Sequence, residues 1–325
     1  MNKALKQLVS SLLEEDFNKA REQSRIFPNR YGSKILDKQG NLTEFGLWEA
    51  VDFPFPRKLS TWLCKFIERE DSMDALPHQF GNYVNVFRLV KKADKELSEF
   101  AQIKAIQSMN IDQQCKSLGI NFEKLEGVKT SQKVELFVSD HYSKRGFQSI
   151  NLEGGEILVL IRCASWESLS KIFSMHDTPY LEALLVDHED PTKINKKAVS
   201  LLLKGIGRSN RKSVVRSFKT IYPNTLLEKV YPGLTSSFVG DLYEVIGQQR
   251  LLELARCFAG NPYQYRKGWP DVTAFKLKRR LIGKSEASLL LREVKVKDKL
   301  LPSQIITLRK FKKLIPDIGI IRVAR

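Results

Sequence analysis

The chain has 325 residues, of which 42% are apolar, enough for two or three domains with ordinary hydrophobic cores. Its 54 Lys and Arg exceed its 37 Asp and Glu, which gives a formal net charge of +17. This excess favours an anionic polymer as the partner, most often nucleic acid and less often a membrane surface. The sequence contains no apolar run of the roughly eighteen residues that a transmembrane helix needs, and no secretion signal. We therefore expect a cytoplasmic or nucleoid-associated protein with no membrane partner.

The cysteines and histidines argue against a zinc site or a disulfide framework. Cys64, Cys115, Cys163 and Cys257 show no CxxC spacing, and the four histidines are dispersed along the chain. Scattered cysteines among apolar residues are typical of buried free thiols. A metal site in this chain would therefore use oxygen ligands, which select Mg²⁺ or Mn²⁺ over zinc.

Residues 1–130 are predicted to form a helical N-terminal domain. Apolar residues recur at helical spacing from residue 3 to about residue 24, and further helical stretches follow up to Ile106. This segment contains no metal cluster, phosphate-binding loop or obvious repeat. We expect it to support or orient the second domain, residues 131–325.

The second domain begins with an α/β pattern that helices then interrupt. The sequence predicts a helix over Lys133–Lys144, a strand over Phe147–Leu152 and an apolar helix over Ile157–Trp166. A helical pattern then continues from about residue 178 to residue 260, with one helix over Asp241–Phe258. We expect this stretch to be a helical insertion inside the domain.

The insertion is strongly basic, which predicts contacts with a phosphate backbone. Between Lys193 and Val230, ten Lys and Arg residues stand against one acidic residue, Glu228. Gly205-Ile206-Gly207 resembles the turn of a helix-hairpin-helix, in which the next helix holds a phosphate through its N–H groups, but this triplet also occurs in plain helix–helix turns. The residues of the insertion that we expect to contact nucleic acid are Lys204, Arg208, Arg211, Lys212 and Arg216.

The last sixty or so residues contain the strongest indication of a functional site. Val272–Phe275 is typical of a strand, and Leu289–Leu291 is typical of a strand that is buried on both faces. Asp271 stands at the entry of the first strand, and Glu293 and Lys295 stand near the end of the second. Because side chains alternate along a strand, Glu293 and Lys295 share a face. We expect two carboxylates and an ammonium group to converge on one spot.

This combination suits phosphodiester hydrolysis assisted by a hard divalent cation. Carboxylates hold such a cation, which neutralises a phosphoryl oxygen and activates a water. Asp271 and Glu293 are the expected ligands, with the carbonyl of Val294 as a third oxygen, and Lys295 would stabilise the attacking hydroxide or the phosphorane. The same residues are also compatible with an ordinary turn aspartate and a Glu-Val-Lys surface strand.

The wider pattern resembles the VRR-NUC family, a branch of the PD-(D/E)xK nucleases that includes the nuclease domain of the Fanconi-associated nuclease. The matching residues near the end of the chain are Arg266, Gly268, Pro270, Asp271, Glu293, Val294, Lys295, Asp298, Leu300, Ser303, Gln304, Leu308, Phe311 and Leu314. Those upstream are Val134, Glu135, Leu136, His141, Tyr142, Arg145, Gly146, Phe147, Glu153 and Gly154. The chain departs from the family in a longer basic hairpin from Lys276 to Ser288, and in Val296, where a glycine is common.

The resemblance implies a restriction-endonuclease-like fold of the α/β class, a mixed sheet flanked by helices. It also implies that Glu135 is a third acidic metal ligand and that Gln304 is an active-site residue. Without the resemblance, Glu135 would be a solvent-exposed helix residue, and Gln304 a surface residue or a helix cap. Arg266, which belongs to the same motif, is a further expected contact with nucleic acid.

These observations together predict a nuclease that depends on Mg²⁺ or Mn²⁺ and hydrolyses DNA. The resemblance implies branched, flapped or single-strand-containing DNA as the substrate. The alternative is a catalytically silent nucleic-acid-binding protein on the same scaffold, against which the presence of the aspartate, glutamate and lysine of the motif argues. The basic excess disfavours a small-molecule phosphohydrolase.

Overall fold

The computed structural model describes residues 102–128, 133–187, 194–278 and 286–324. The chain divides into two compact units, Met1–Ala105 and Ile106–Arg325. The helices predicted for residues 1–101 lie outside the described residues. The second unit starts at Ile106, earlier than the boundary predicted at residue 130, because residues 106–128 contribute a helix and a strand to it.

The second unit alternates helices with strands. Its strands are β1 (Asn121–Leu125), β2 (Gln148–Ile150), β3 (Val272–Lys278), β4 (Glu286–Lys295) and β5 (Ile318–Val323). Its helices include α1 (Ile111–Leu118), α2 (Val134–Lys144), α3 (Gly155–Leu169), α4 (Leu181–Leu184), α5 (Lys196–Arg208), α6 (Arg211–Ile221), α7 (Leu226–Val230), α8 (Ser236–Ile246), α9 (Gln248–Gly260), α10 (Pro262–Tyr265) and α11 (Pro302–Phe311). No helix in the described part of the chain is long and apolar enough to cross a bilayer.

The strands form one five-stranded mixed sheet in the order β1-β5-β4-β3-β2. β3 and β4 form an antiparallel hairpin, and β2 pairs antiparallel with β3 at one edge. β5 runs parallel to β4, and α11 connects these two strands. On its other side, β5 pairs in parallel with β1, which forms the other edge of the sheet. The predicted restriction-endonuclease-like architecture, a mixed sheet flanked by helices, is confirmed.

Helices cover both faces of the sheet. On one face, Val272 and Ala274 of β3 pack with Val138 of α2 in one buried cluster. On the opposite face, Phe275 packs against Phe238 of α8, with 5.0 Å between the ring centroids. The centre of β4 is buried on both faces, which explains why its sequence is continuously apolar there.

A buried arginine joins three strands and α2 on the α2 face. Arg292 of β4 is 3% exposed, and its Nη2 donates to Glu123 Oε1 at 2.8 Å and to Asp317 Oδ1 at 2.7 Å. Its Nε also donates to the hydroxyl of Tyr142 at 3.1 Å. Because Arg292 and Glu293 are adjacent on one strand, this arginine points to the face opposite the glutamate.

The region between β2 and β3 is helical in its described residues, apart from one isolated bridge between Val186 and Ile194. Helix α3 lies at its centre, with every residue buried except Glu167, and α5 and α6 pack against it. The predicted single helix over Asp241–Phe258 is wrong, because the chain forms α8 and α9 with a break at Gly247.

The turn predicted at Gly205-Ile206-Gly207 is also wrong. These residues belong to α5, which continues to Arg208, and Ser209–Asn210 forms the connection to α6. A side chain at Gly205 would run into the backbone of Ser165 in α3, so this glycine permits close helix packing. At the start of α6, the N–H of Ser213 donates to the Asn210 side chain at 3.0 Å, so this donor is already used.

Candidate active site

Antiparallel pairing of β3 with β4 brings two carboxylates together. The register pairs Val272 with Arg292, so Asp271, one residue earlier, stands opposite Glu293, one residue later. The N–H of Val294 donates to Asp271 Oδ2 at 2.7 Å and fixes this carboxylate at the end of the strand. The structure therefore places Asp271 beside Glu293.

The surroundings of Asp271 disfavour its charged form. Burial raises the pKa of Asp271 from 3.8 to about 6. The N–H of Val294 and the ammonium of Lys295 act in the opposite direction, whereas the negative charges of Glu153 and Glu135 raise the pKa further. A metal-free site would therefore take up a proton at Asp271 as the pH falls through about 6.

Glu293 is 1% exposed and lies between two other charged groups, Asp271 and Lys295. Burial, followed by the charge of Asp271, raises the pKa of Glu293 well above its ordinary value, although Lys295 opposes this effect. Glu293 Oε1 lies 3.0 Å from Lys295 Nζ, and Oε2 is buried with no hydrogen-bond partner among the described residues. Two facing carboxylates are costly unless a proton or a cation lies between them.

The ammonium group of Lys295 bridges two carboxylates. Its Nζ lies 3.0 Å from Glu293 Oε1 and 3.0 Å from Asp298 Oδ2. Burial alone would lower the pKa of Lys295, but Glu293 and Asp298 more than offset burial and raise it above its ordinary value. Lys295 is therefore positively charged at neutral pH, at the position where the sequence predicted an ammonium group.

The side-chain amide of Gln304 contacts Glu293 and also caps α11. Its Nε2 donates to Glu293 Oε1 at 2.5 Å, which makes it a neighbour of the paired carboxylates. Its Oε1 accepts from the N–H of Leu301 at 2.9 Å and so caps the first turn of α11. The cap holds the amide in place, so Gln304 orients Glu293.

A tight turn before β3 fixes the spacing of these groups. Gly268 has a φ of 77°, and a side chain there would run into the backbone of Ser303 in α11. The next residue, Trp269, packs on Phe311 of the same helix, with 4.4 Å between the ring centroids. The start of β3 is therefore held against α11.

Two further glutamates, Glu153 and Glu135, act on Asp271 through their charge. The sequence predicts only Glu135 as a metal ligand. Glu153 raises the pKa of Asp271 more than Glu135 does. Glu153 is exposed in the turn between β2 and α3, with a φ of 50°. Glu135 is partly buried in the first turn of α2. The available indication was the Glu153-Gly154 pair directly before an apolar helix.

Helix α2, which carries Glu135 in its first turn, lies on the other side of the sheet from Glu293, and the charge of Glu135 still raises the pKa of Asp271. α2 packs on the face that carries Val272 and Val294, whereas Glu293 points to the opposite face. Among the described residues, no group of three or more His, Cys, Asp or Glu side chains is assembled that could hold a metal ion. The paired carboxylates still fit a hard cation, because the buried Glu293 Oε2 has no hydrogen-bond partner among those residues.

A fully buried glutamate, which the sequence did not indicate, lies on the same side of β3. Glu156 of α3 is 0% exposed, and its Oε1 accepts from the Thr273 hydroxyl at 2.5 Å. Burial raises the pKa of Glu156 from 4.5 to about 7, although the Thr273 hydrogen bond opposes this. Below neutral pH the native protein therefore holds a proton on Glu156.

We expect Glu156→Gln to stabilise the metal-free protein at pH 8 and to change its stability little at pH 5. The native pKa lies above the unfolded one, so the native carboxylate costs stability progressively as the pH rises from about 4.5 through about 7. A neutral amide removes this cost, which we put at roughly 1–3 kcal/mol at pH 8. Urea unfolding of both proteins at the two pH values measures the effect, and an equal effect at both would contradict it.

Four of the basic residues predicted to contact nucleic acid are exposed: Lys204 and Arg208 on α5, and Lys212 and Arg216 on α6. Arg216 Nη1 lies 3.8 Å from Glu167 Oε1, in an ion pair that is open to solvent and therefore weak. The short connection between α5 and α6 keeps these cations on one helical hairpin.

Arg211 and Arg266 have acidic partners within the protein. Arg211 Nη2 lies 3.0 Å from Asp241 Oδ1, which links α6 to α8. Arg266 Nη1 lies 3.9 Å from Glu182 Oε1, and its guanidinium lies 5.3 Å from the Tyr263 ring centroid. Acidic residues of the protein therefore match part of the charge of Arg211 and Arg266.

The fold and the site define an α/β protein with paired carboxylates and a lysine at the end of a β-hairpin. No protein-family model and no curated protein sequence matches the chain. Among solved structures, it is similar to paFAN1 bound to a 2-nucleotide 5′ flap DNA with a gap, at 15% identity and a TM-score of 0.48. It is also similar to paFAN1 bound to a 1-nucleotide 5′ flap DNA with a gap, at 14% identity and a TM-score of 0.47. The matches cover 99% of this chain but 54% and 62% of those chains.

Proposed function

We propose that the chain is a Mg²⁺- or Mn²⁺-dependent nuclease of the VRR-NUC type that hydrolyses DNA phosphodiester bonds. The observation that carries this proposal is that the half-buried Asp271 and the buried Glu293 face each other, with the ammonium of Lys295 3.0 Å from Glu293. Such a pair is poorly stable as two free carboxylates and well suited to a divalent cation. Asp271, Glu293 and Lys295 are also among the residues on which the resemblance to the VRR-NUC family depends.

The chemistry follows from the residues that surround this pair. Asp271, Glu293 and the carbonyl of Val294 would hold the cation, which when bound neutralises a phosphoryl oxygen and activates a water. Lys295 provides a fixed positive charge for the attacking hydroxide or for the charge that develops on the phosphoryl group. Gln304 keeps Glu293 in position through its 2.5 Å hydrogen bond.

The proposed partner is DNA, preferably branched, flapped or single-strand-containing DNA, as the family resemblance implies. The formal net charge of +17 supports a polyanionic substrate. The exposed cations of the α5–α6 hairpin are the proposed contacts with the backbone, and Arg211 and Arg266 are secondary candidates because acidic residues neutralise part of their charge.

Incubating the purified protein with labelled single-stranded, duplex and 5′ flap DNA tests this function. We expect cleavage with Mn²⁺ or Mg²⁺, no cleavage with EDTA, and the fastest cutting on DNA that contains an unpaired segment. Binding of all three DNAs without cleavage under any metal condition would instead identify a catalytically silent nucleic-acid-binding protein on a nuclease scaffold.

Glu153 is proposed as the third acid of the site in preference to Glu135. Glu153 stands two residues before α3, which packs on the same face of the sheet as Glu293, and the charge of Glu153 acts more strongly on Asp271 than that of Glu135 does. We expect Glu153→Gln to reduce Mn²⁺-dependent cleavage by about 10–100-fold, the usual cost of weakening a metal site, and Glu135→Gln to reduce it less. Cleavage rates of the two variants over a range of Mn²⁺ concentrations provide the comparison; a larger loss for Glu135→Gln would restore the original assignment.

A further inference from the structure

A row of basic residues runs across three strands, starting from the candidate active site. The register pairs Lys295 of β4 with Arg322 of β5, and Arg322 in turn with Lys124 of β1. Residues paired in neighbouring parallel strands project from the same face of the sheet. Arg322 and Lys124 therefore lie on the same face as Lys295 and Glu293. We call Lys295, Arg322 and Lys124 the basic row.

The basic row extends from the buried site to the edge of the sheet. Lys295 is 5% exposed, whereas Arg322 and Lys124 are both exposed to solvent. Neighbouring strands lie about 4.8 Å apart, so the row covers roughly 10 Å from Lys295 to Lys124. A polyanion that reached the lysine at the site could continue along the other two cations.

Two open grooves lie beside the basic row, one at Arg322 and one at Lys124. The first, of about 640 Å³, is lined by Val296, Lys297 and Asp298 from the loop after β4 and by Arg322, Val323 and Ala324 from the end of β5. The second, of about 480 Å³, is lined mainly by α1 and β1, including Lys116, Phe122 and Lys124. The space next to the row is thus bordered by two further lysines and one aromatic ring.

The acidic groups near the row do not cancel its charge. Asp298 lines the first groove, and Asp298 Oδ2 and Glu293 Oε1 each lie 3.0 Å from Lys295 Nζ. These two carboxylates match the ammonium of Lys295, so the remaining positive charge of the row is that of Arg322 and Lys124. Asp112 lines the second groove opposite two lysines, Lys116 and Lys124. Glu123, next to Lys124 in the chain, points to the other face and binds Arg292. The net charge along this edge is therefore positive.

We propose that the basic row guides the nucleic-acid strand that leaves the candidate active site, with its phosphates on Arg322 and Lys124. This inference rests on the proposed nuclease function, because it takes the carboxylate pair as the position of the cleaved phosphate. A single strand fits the arrangement, since the row is one residue wide and the neighbouring Phe122 offers a ring for a base. A duplex would need cations on both sides of the groove.

The test compares two double variants of equal charge. One is Arg322→Gln with Lys124→Gln, and the control is Lys144→Gln with Lys171→Gln, which removes two exposed lysines that belong neither to the row nor to the basic insertion. Affinity for a single-stranded oligonucleotide is measured in EDTA by fluorescence anisotropy between about 50 and 200 mM salt. We expect the slope of log K against log salt to become shallower by about 1.4 in the row variant, at 0.7 for each lost phosphate contact. A change no larger than that of the control would overturn the proposal.

Cleavage separates failure of the row from failure of the nuclease function. If the wild-type protein cuts DNA and the row variant behaves as the control does in both binding and cutting, the row is not a strand path although the nuclease function stands. If the wild-type protein binds DNA but never cuts it, the nuclease function fails, and the salt slope still decides whether the row binds a strand. We expect the row variant to cut long single strands at least fivefold more slowly than the control variant does, and oligonucleotides too short to reach Lys124 at a rate closer to that of the control.

Discussion

Replacing either paired carboxylate by its amide, Asp271→Asn or Glu293→Gln, should abolish metal-dependent DNA cleavage. Each amide keeps the shape of the side chain but loses the charge that would hold the cation, and the cation supplies both charge neutralisation and the activated water. We expect the cleavage rate to fall by about 10²–10³-fold or more. Initial rates on a labelled flap substrate in saturating Mn²⁺ measure the loss.

The same variants provide their own control for folding and binding. Glu293 is buried with its pKa raised well above the ordinary value, so a neutral amide there should not lower the free energy of unfolding of the metal-free protein at pH 8. DNA affinity in EDTA should also persist, because the exposed cations are unchanged. Cutting at the wild-type rate by either variant would remove that residue from the metal site.

The second large effect concerns stability. We expect Arg292→Met to lower the free energy of unfolding by about 2–4 kcal/mol, because it removes a buried guanidinium that contacts Glu123, Asp317 and Tyr142. This expected loss of stability is smaller than for a fully buried ion pair, because the side chains of Glu123 and Asp317 are 34% and 41% exposed. Urea unfolding at pH 7 measures the change.

A matched control for this prediction is Arg256→Met. Arg256 also lies beside an acid, Glu253, but both side chains are exposed on α9, so its loss should cost less than about 0.5 kcal/mol. Arg292→Lys should fall between the two, because an ammonium keeps the charge but cannot span the same set of acceptors. Equal losses for Arg292→Met and Arg256→Met would show that the buried cluster does not stabilise the sheet.

The sequence was sufficient to predict the central part of the candidate site. Asp271 stands directly before β3, and Glu293 and Lys295 lie near the end of β4; the register of the hairpin then decides which residues face each other. Gln304 is harder to predict, because its dual contact with Glu293 and Leu301 depends on how the start of α11 meets the end of β4.

Other parts of the fold depend on contacts that no local pattern reveals. β1 pairs with β5 almost 200 residues later, and its short polar sequence does not alternate clearly, so the sequence alone predicts that it belongs to the helical N-terminal domain. Glu153 stands in a turn with a φ of 50°, and its electrostatic effect on Asp271 depends on a chain path that no periodicity predicts. The sequence predicts a turn at Gly205, because glycine commonly marks turns, whereas close packing of α5 against the backbone of Ser165 explains this glycine.

The most direct test of the central claim is calorimetric titration of Mn²⁺ into the DNA-free protein. The wild-type protein should bind Mn²⁺ at pH 7.5, and its affinity should fall as the pH drops below about 6, where Asp271 becomes protonated. Asp271→Asn and Glu293→Gln should each bind Mn²⁺ at least about tenfold more weakly than the wild type. Equal Mn²⁺ affinity in the wild type and both variants would show that these carboxylates do not hold a cation.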